Sequence, residues 1–168
     1  MTRFEKWTVW GATIVMALTG FAVAYIEHFV TPVDEWAVVN HPLQPWLLKA
    51  HILAGPVLVF GIGLMAARHI LPHLRNGVRH ARASGSTAAY VIIPMVATGY
   101  LLQAITHART LDILGWVHLA AGAVFTAASV AHALRARRRR AEAARSEGAR
   151  PTLRNGRPHA RVPARRAS

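Results

Sequence analysis

The sequence predicts an all-α integral membrane protein, a four-helix bundle running up-down-up-down, and three observations predict it. Of the 168 residues, 53% are hydrophobic and only 16% are charged, a balance unsuited to a water-soluble domain of this length. The apolar residues gather into four uncharged stretches, Trp7–Ile26 (20 residues), Ala50–Ala67 (18), Thr87–Ala108 (22) and Ile113–Leu134 (22). Each can cross a hydrocarbon core about 30 Å thick as a helix, the form in which such a segment satisfies its own backbone in lipid. Finally, the cations alternate from loop to loop. Of the 20 Lys and Arg, all but Lys49 and Arg109 lie before the first stretch, after the second or beyond the fourth. The positive-inside rule then places both termini in the cytoplasm. Trp7, Trp10 and Tyr90 fall at the inner interface and Trp46 and Trp116 at the outer one, as an aromatic belt requires.

The first span reads as a retained signal anchor, too long for a signal-peptide core. It has no histidine in its membrane portion, its Gly11 and Gly20 permit close packing, and it ends in Glu27-His28. The connection TPVDEWAVVNHPLQP is proline-rich and acidic. A short interfacial helix is expected around Asp34–Val39, with the loop serving as a docking site, a cover over a quinone pocket, or a plain solvated connector.

The second and fourth spans carry the chemistry. In span four His118 and His132 are fourteen residues apart, which puts both rings on one helix face about 21 Å apart. In span two His51 and His69 are 18 apart, five full turns and about 27 Å. An ionisable residue inside a membrane helix points to function, because burying it without a partner is costly. Spans two and four run in the same direction, so His51 is level with His118, and His69 is approximately level with His132. The local sequences also match, HILAG at 51–55 and HLAAG at 118–122. In each, a glycine (Gly55, Gly122) lies one turn below the imidazole and removes a side chain that would strike a flat macrocycle held by that ring. Two imidazoles at each of two depths indicate two bis-histidine b-type haems, the outer held by His51 and His118 and the inner by His69 and His132. His28, His41 and His107 sit at the outer interface and His73, His80 and His159 in basic hydrated segments, and none is expected to ligate.

In span three Pro94 should kink the helix, Gly99 allows close approach of a helix or a porphyrin, and Tyr100 and Gln103 bring polar tips to membrane depth. Past Leu134 the composition changes to Arg, Ala, Gly and Pro. Residues 1–134 are therefore one haem-binding membrane domain, and residues 135–168 an arginine-rich cytoplasmic tail, largely disordered after a short helical continuation. Directly after a span, such a tail is read as attracted to anionic membrane lipid rather than to nucleic acid. With no cysteine, the chain has no disulfide, no thiolate-held iron–sulfur cluster and no c-type haem attachment.

The histidine pairs, the TGYLL near the end of span three and the H-x13-H of span four resemble the bacterial four-helix di-haem cytochromes b. That superfamily includes the cytochrome b561 type and the membrane subunits of hydrogenases, formate dehydrogenases and thiosulfate reductases. Over residues 1–134 the resemblance implies a subunit of the bacterial cytoplasmic membrane that passes electrons between quinone and a partner redox protein, rather than a stand-alone enzyme with catalytic residues of its own. Several branches take an inner haem ligand from span one, where this chain has none, so His69 must replace it. Arg68 and Arg135 near the inner site, and Lys49 or Arg109 near the outer, are candidates for the haem propionates. The alternative reading is a mono-haem or haem-free membrane anchor of a redox complex. A metal-ion transporter is disfavoured, since no carboxylate lies within any span.

Overall fold

In the computed structural model of the chain, residues 2–32, 34, 36–66, 70–72 and 83–148 are described. They form four long helices and no strand: α1 (Arg3–Phe29), α2 (Gln44–Met65), α3 (Ala83–Ala104) and α4 (Ala108–Gly148). All four are long and apolar enough to cross a membrane.

The helix ends differ from the apolar stretches because capping and turn chemistry, not hydropathy, sets them. α1 starts four residues before Trp7 on a capping box. Thr2 Oγ1 accepts from the Glu5 N–H (3.2 Å), and Glu5 Oε2 accepts from the Thr2 N–H (2.9 Å). α2 starts six residues before Ala50, where Pro45 presets the first turn. α3 stops at Ala104, and only Ile105–His107 separate it from α4. The His107 carbonyl accepts from Thr110 and Leu111 N–H (3.0 Å each), which begins α4 ahead of Ile113.

The helix expected at Asp34–Val39 does not form among the described residues. Asp34 makes a turn instead, its Oδ1 accepting from Trp36 N–H (3.1 Å) and its carbonyl from Ala37 N–H (3.0 Å). Asn40 then ties this connection to the end of α1, its amide donating to the Ile26 and Glu27 carbonyls (3.2 Å each).

Each helix contributes one residue to a shared core of Ala12, Leu58, Met95 and Phe125. Leu58 is the most deeply buried, at 1% exposed. α1 and α2 approach closely at Gly61, where a Cβ would lie 2.9 Å from Val9 Cγ2. Gly11, expected to serve that purpose, faces open space. Large side chains such as Leu18, Leu53, Phe60 and Ile93 point outward. Only 6–11% of each apolar window is buried, which suits a protein whose solvent is hydrocarbon and would be an aggregation surface in water.

Residues Met1–His132 make one unit and Ala133–Ser168 a second. In the second, α4 continues for fourteen residues beyond Leu134, because Ala, Arg and Glu are strong helix formers even without an apolar face. Residues 149–168 lie outside the described residues, as does the disorder expected there.

Candidate functional site

α2 and α4 bring His51 and His118 together. Their ring centroids are 6.1 Å apart and the ring planes nearly perpendicular, at 86°. Each ring is seated on a glycine of another helix. A Cβ on Gly20 of α1 would lie 2.8 Å from His51 Cε1, and one on Gly99 of α3 would lie 3.1 Å from His118 Cε1. Only glycine lets an imidazole lie this close to the neighbouring backbone.

The residue before each of these glycines is a buried threonine whose hydroxyl meets the same ring. Thr19 Oγ1 is 3.0 Å from His51 Nδ1, and Thr98 Oγ1 is 3.0 Å from His118 Nδ1. Each hydroxyl donates to the carbonyl four residues back, Val15 and Pro94 respectively, at 2.7 Å. Its oxygen is thereby left to accept. At His118 a backbone carbonyl adds to the arrangement, with Met95 O 3.0 Å from Nδ1. A carbonyl, or a hydroxyl oxygen whose hydrogen is already donated, can only accept, so Nδ1 carries the proton in both rings. Nε2 keeps its lone pair, which is the state of a metal-ligating imidazole.

These contacts expose a repeat that hydropathy and histidine spacing did not reveal. Met16-Ala17-Leu18-Thr19-Gly20 on α1 and Met95-Val96-Ala97-Thr98-Gly99 on α3 share the pattern M-x-x-T-G. Each precedes a helix bearing H-x-x-x-G, so α1–α2 and α3–α4 are two versions of one device. Self-comparison of the sequence would have found it.

The pair opens on a cavity of about 780 Å³, within the usual range for a small-molecule site. Gly55 and Gly122 line it, and a Cβ on either would enter open space rather than strike a neighbour. The two are therefore walls of the cavity. Pro56, within α2, and Phe125 of the core are further apolar lining residues. Tyr100, Gln44, Gln103 and Trp116 are among its lining residues, as are Glu27 and Asp112. His28 also lines the cavity, but its ring stands edge-on to Trp116 (4.5 Å) and its Nδ1 donates to the Ala24 carbonyl (3.0 Å). Neither Lys49 nor Arg109 is among the lining residues, and the Lys49 ammonium instead sits over the Trp46 ring at 4.8 Å. An anionic group entering here would find Glu27 and Asp112 among the lining residues and neither of those cations.

His132 lies against Gly85 of α3, where a Cβ would come within 3.0 Å of its Nδ1. Its expected partner His69, together with Arg68, His73, His80 and His159, lies outside the described residues. Arg135 is an exposed residue of the second unit. Among the described residues no three His, Cys, Asp or Glu side chains gather to hold a bare metal ion. What His51 and His118 offer is two imidazoles at nearly right angles beside a largely apolar cavity.

No family model matches the chain, and no curated protein or solved structure matches it either.

Proposed function

We propose that this chain is a membrane b-type cytochrome of the bacterial cytoplasmic membrane, with both termini cytoplasmic, which carries electrons across the bilayer between quinone and a partner redox protein. His51 and His118 hold one haem b near the outer face. His132, with His69, holds a second near the cytoplasmic face. The arginine-rich segment after His132 adheres to anionic lipid heads.

The observation that carries this reading is the His51–His118 pair. A metal held between two imidazoles at metal–nitrogen distances of about 2 Å would place their ring centroids about 6 Å apart. The observed separation is 6.1 Å. Porphyrin supplies the other four nitrogens, so two protein ligands suffice. The residues fit the group in three further respects. Both rings have Nδ1 bonded to a threonine hydroxyl, leaving Nε2 to ligate. The adjoining cavity is apolar over most of its wall, and two of the wall residues are glycine. Haem, when bound, supplies one-electron chemistry. The chain's part would be to hold the group between His51 and His118, exclude water and fix the distance to the next site.

The test is purification from membranes followed by a reduced-minus-oxidised spectrum and a count of haem per chain. A b-type spectrum with two haems per chain is expected. Purification of an intact chain without haem would overturn the proposal and leave the anchor reading.

A further inference from the structure

The hydroxyls of Thr19 and Thr98 do more than satisfy their own helices. A threonine inside a helix ordinarily bonds back to the carbonyl four residues earlier. Thr87 and Thr126 do so, at 2.6 and 2.8 Å, without meeting an imidazole among the described residues. Thr19 and Thr98 make the same back-bond, and each in addition lies 3.0 Å from Nδ1 of an imidazole on the next helix. Both are buried, at 9% and 7% exposed, where little water competes for the bond.

Each ring is also held at a second point, and by the same edge. A Cβ on Gly20 would lie 2.8 Å from Cε1 and 3.2 Å from Nδ1 of His51, and one on Gly99 would lie 3.1 and 3.6 Å from those atoms of His118. Rotation of an imidazole about its Cβ–Cγ bond has broad wells, so the side chain's own torsion does not choose the plane of the ring. A bonded Nδ1 and a seated Cε1 together can. Each hydroxyl is in turn pinned at 2.7 Å to the Val15 or Pro94 carbonyl, which fixes the direction in which its oxygen accepts.

We infer that Thr19 and Thr98 are positioning residues that set the planes of His51 and His118, so that the 86° between the rings is dictated by α1 and α3 rather than by the helices that carry the histidines. An acceptor that holds Nδ1–H in one direction also fixes where Nε2 points, and so the approach of any metal the ring would bind. At His118 the Met95 carbonyl is a second acceptor at 3.0 Å. Loss of the Thr98 hydroxyl therefore leaves that ring its tautomer and removes one of the two contacts that aim it. The affinity and ring-angle readouts below rest on the haem reading above, whereas the placement of the rings does not.

The experiment compares the full chain in lipid nanodiscs with Thr19→Ala, Thr98→Ala, Thr19→Ser and Thr98→Ser, each serine differing from the alanine by the hydroxyl alone. In haem-free protein labelled at the imidazole nitrogens, Thr19→Ala should shift the Nδ1–H resonance of His51, and Thr98→Ala that of His118. In loaded protein either alanine should weaken haem binding at the outer site roughly 10- to 100-fold and alter the ferric electron paramagnetic resonance signal that reports the angle between the rings. Both serine variants should resemble the parent, and Thr87→Ala, which removes a back-bond but no ring contact, should change none of these. If an alanine variant is poorly folded, Thr19→Val or Thr98→Val, which keeps the volume and loses the hydroxyl, takes its place in the same comparison. Variants without the hydroxyl whose Nδ1–H resonances and haem affinities match the parent, or serine variants as impaired as the alanines, would overturn the positioning role. A parent chain that binds no haem would sink the functional reading but leave the resonance comparison to decide what the threonines do.

Discussion

Either His51→Ala or His118→Ala is expected to abolish one and the same haem, lowering haem from two to one per chain without lowering the amount of protein in the membrane. The two ring centroids are 6.1 Å apart, so on the proposed reading the loss of either ring would leave the iron one protein ligand. The site should then empty or turn high-spin. Insertion should not suffer, since Ala is easier to place in lipid than an ionisable side chain. His28→Ala is the matched control: that ring borders the same cavity but is committed to Trp116 and the Ala24 carbonyl, and its loss should leave both haems. If His51→Ala and His118→Ala removed spectroscopically different haems, the pairing would be wrong.

The glycines should divide into two classes with opposite sensitivity to size. At Gly20 a single methyl is enough to matter, since its Cβ would stand 2.8 Å from His51 Cε1. The ring must move, and moving it pulls Nδ1 from Thr19 Oγ1. Gly99→Ala meets His118 at 3.1 Å and should be milder. Misplaced ligand shells commonly cost roughly 10- to 100-fold in metal affinity, and a loss of that size is expected for Gly20→Ala. At Gly55 and Gly122, where a Cβ meets nothing within 4 Å, alanine should be tolerated. Leucine should obstruct the cavity and lower haem content while leaving insertion intact. Gly11→Ala, also facing open space, should change neither. The check is haem affinity across the series by titration of haem-free protein. Equal affinities for Gly20→Ala and Gly55→Ala would refute the division.

The four helices were legible because an uncharged run of about twenty residues has few other uses. Their ends were not, since the capping box at Thr2–Glu5 and the turn at His107 are made by polar contacts that hydropathy ignores. The meeting of His51 with His118 could be read from helical period and equal depth. How the rings are held could not be read the same way, because a Thr-Gly step inside an apolar helix resembles ordinary packing. The Thr19–His51 bond joins residues 32 apart and the Thr98–His118 bond residues 20 apart, so only the fold brings them together. H-x-x-x-G drew notice to glycines on the histidine's own helix. The structure gives the seating role to glycines on α1 and α3 and leaves Gly55 and Gly122 as cavity wall.

The angle between the rings of His51 and His118 provides the most direct test of the proposed haem site. Perpendicular axial imidazoles leave the two iron dπ orbitals nearly degenerate, and a low-spin ferric centre of that kind gives a strongly anisotropic electron paramagnetic resonance signal dominated by one large g component. Parallel imidazoles split the orbitals and give an ordinary rhombic signal. With ring planes 86° apart, the oxidised wild-type protein should show an anisotropic component from this site, and that component should be lost in both His51→Ala and His118→Ala while the signal of the second haem stays. Purely rhombic or high-spin signals from the wild-type protein, or a low-spin spectrum unchanged in either variant, would contradict a haem held between these two histidines.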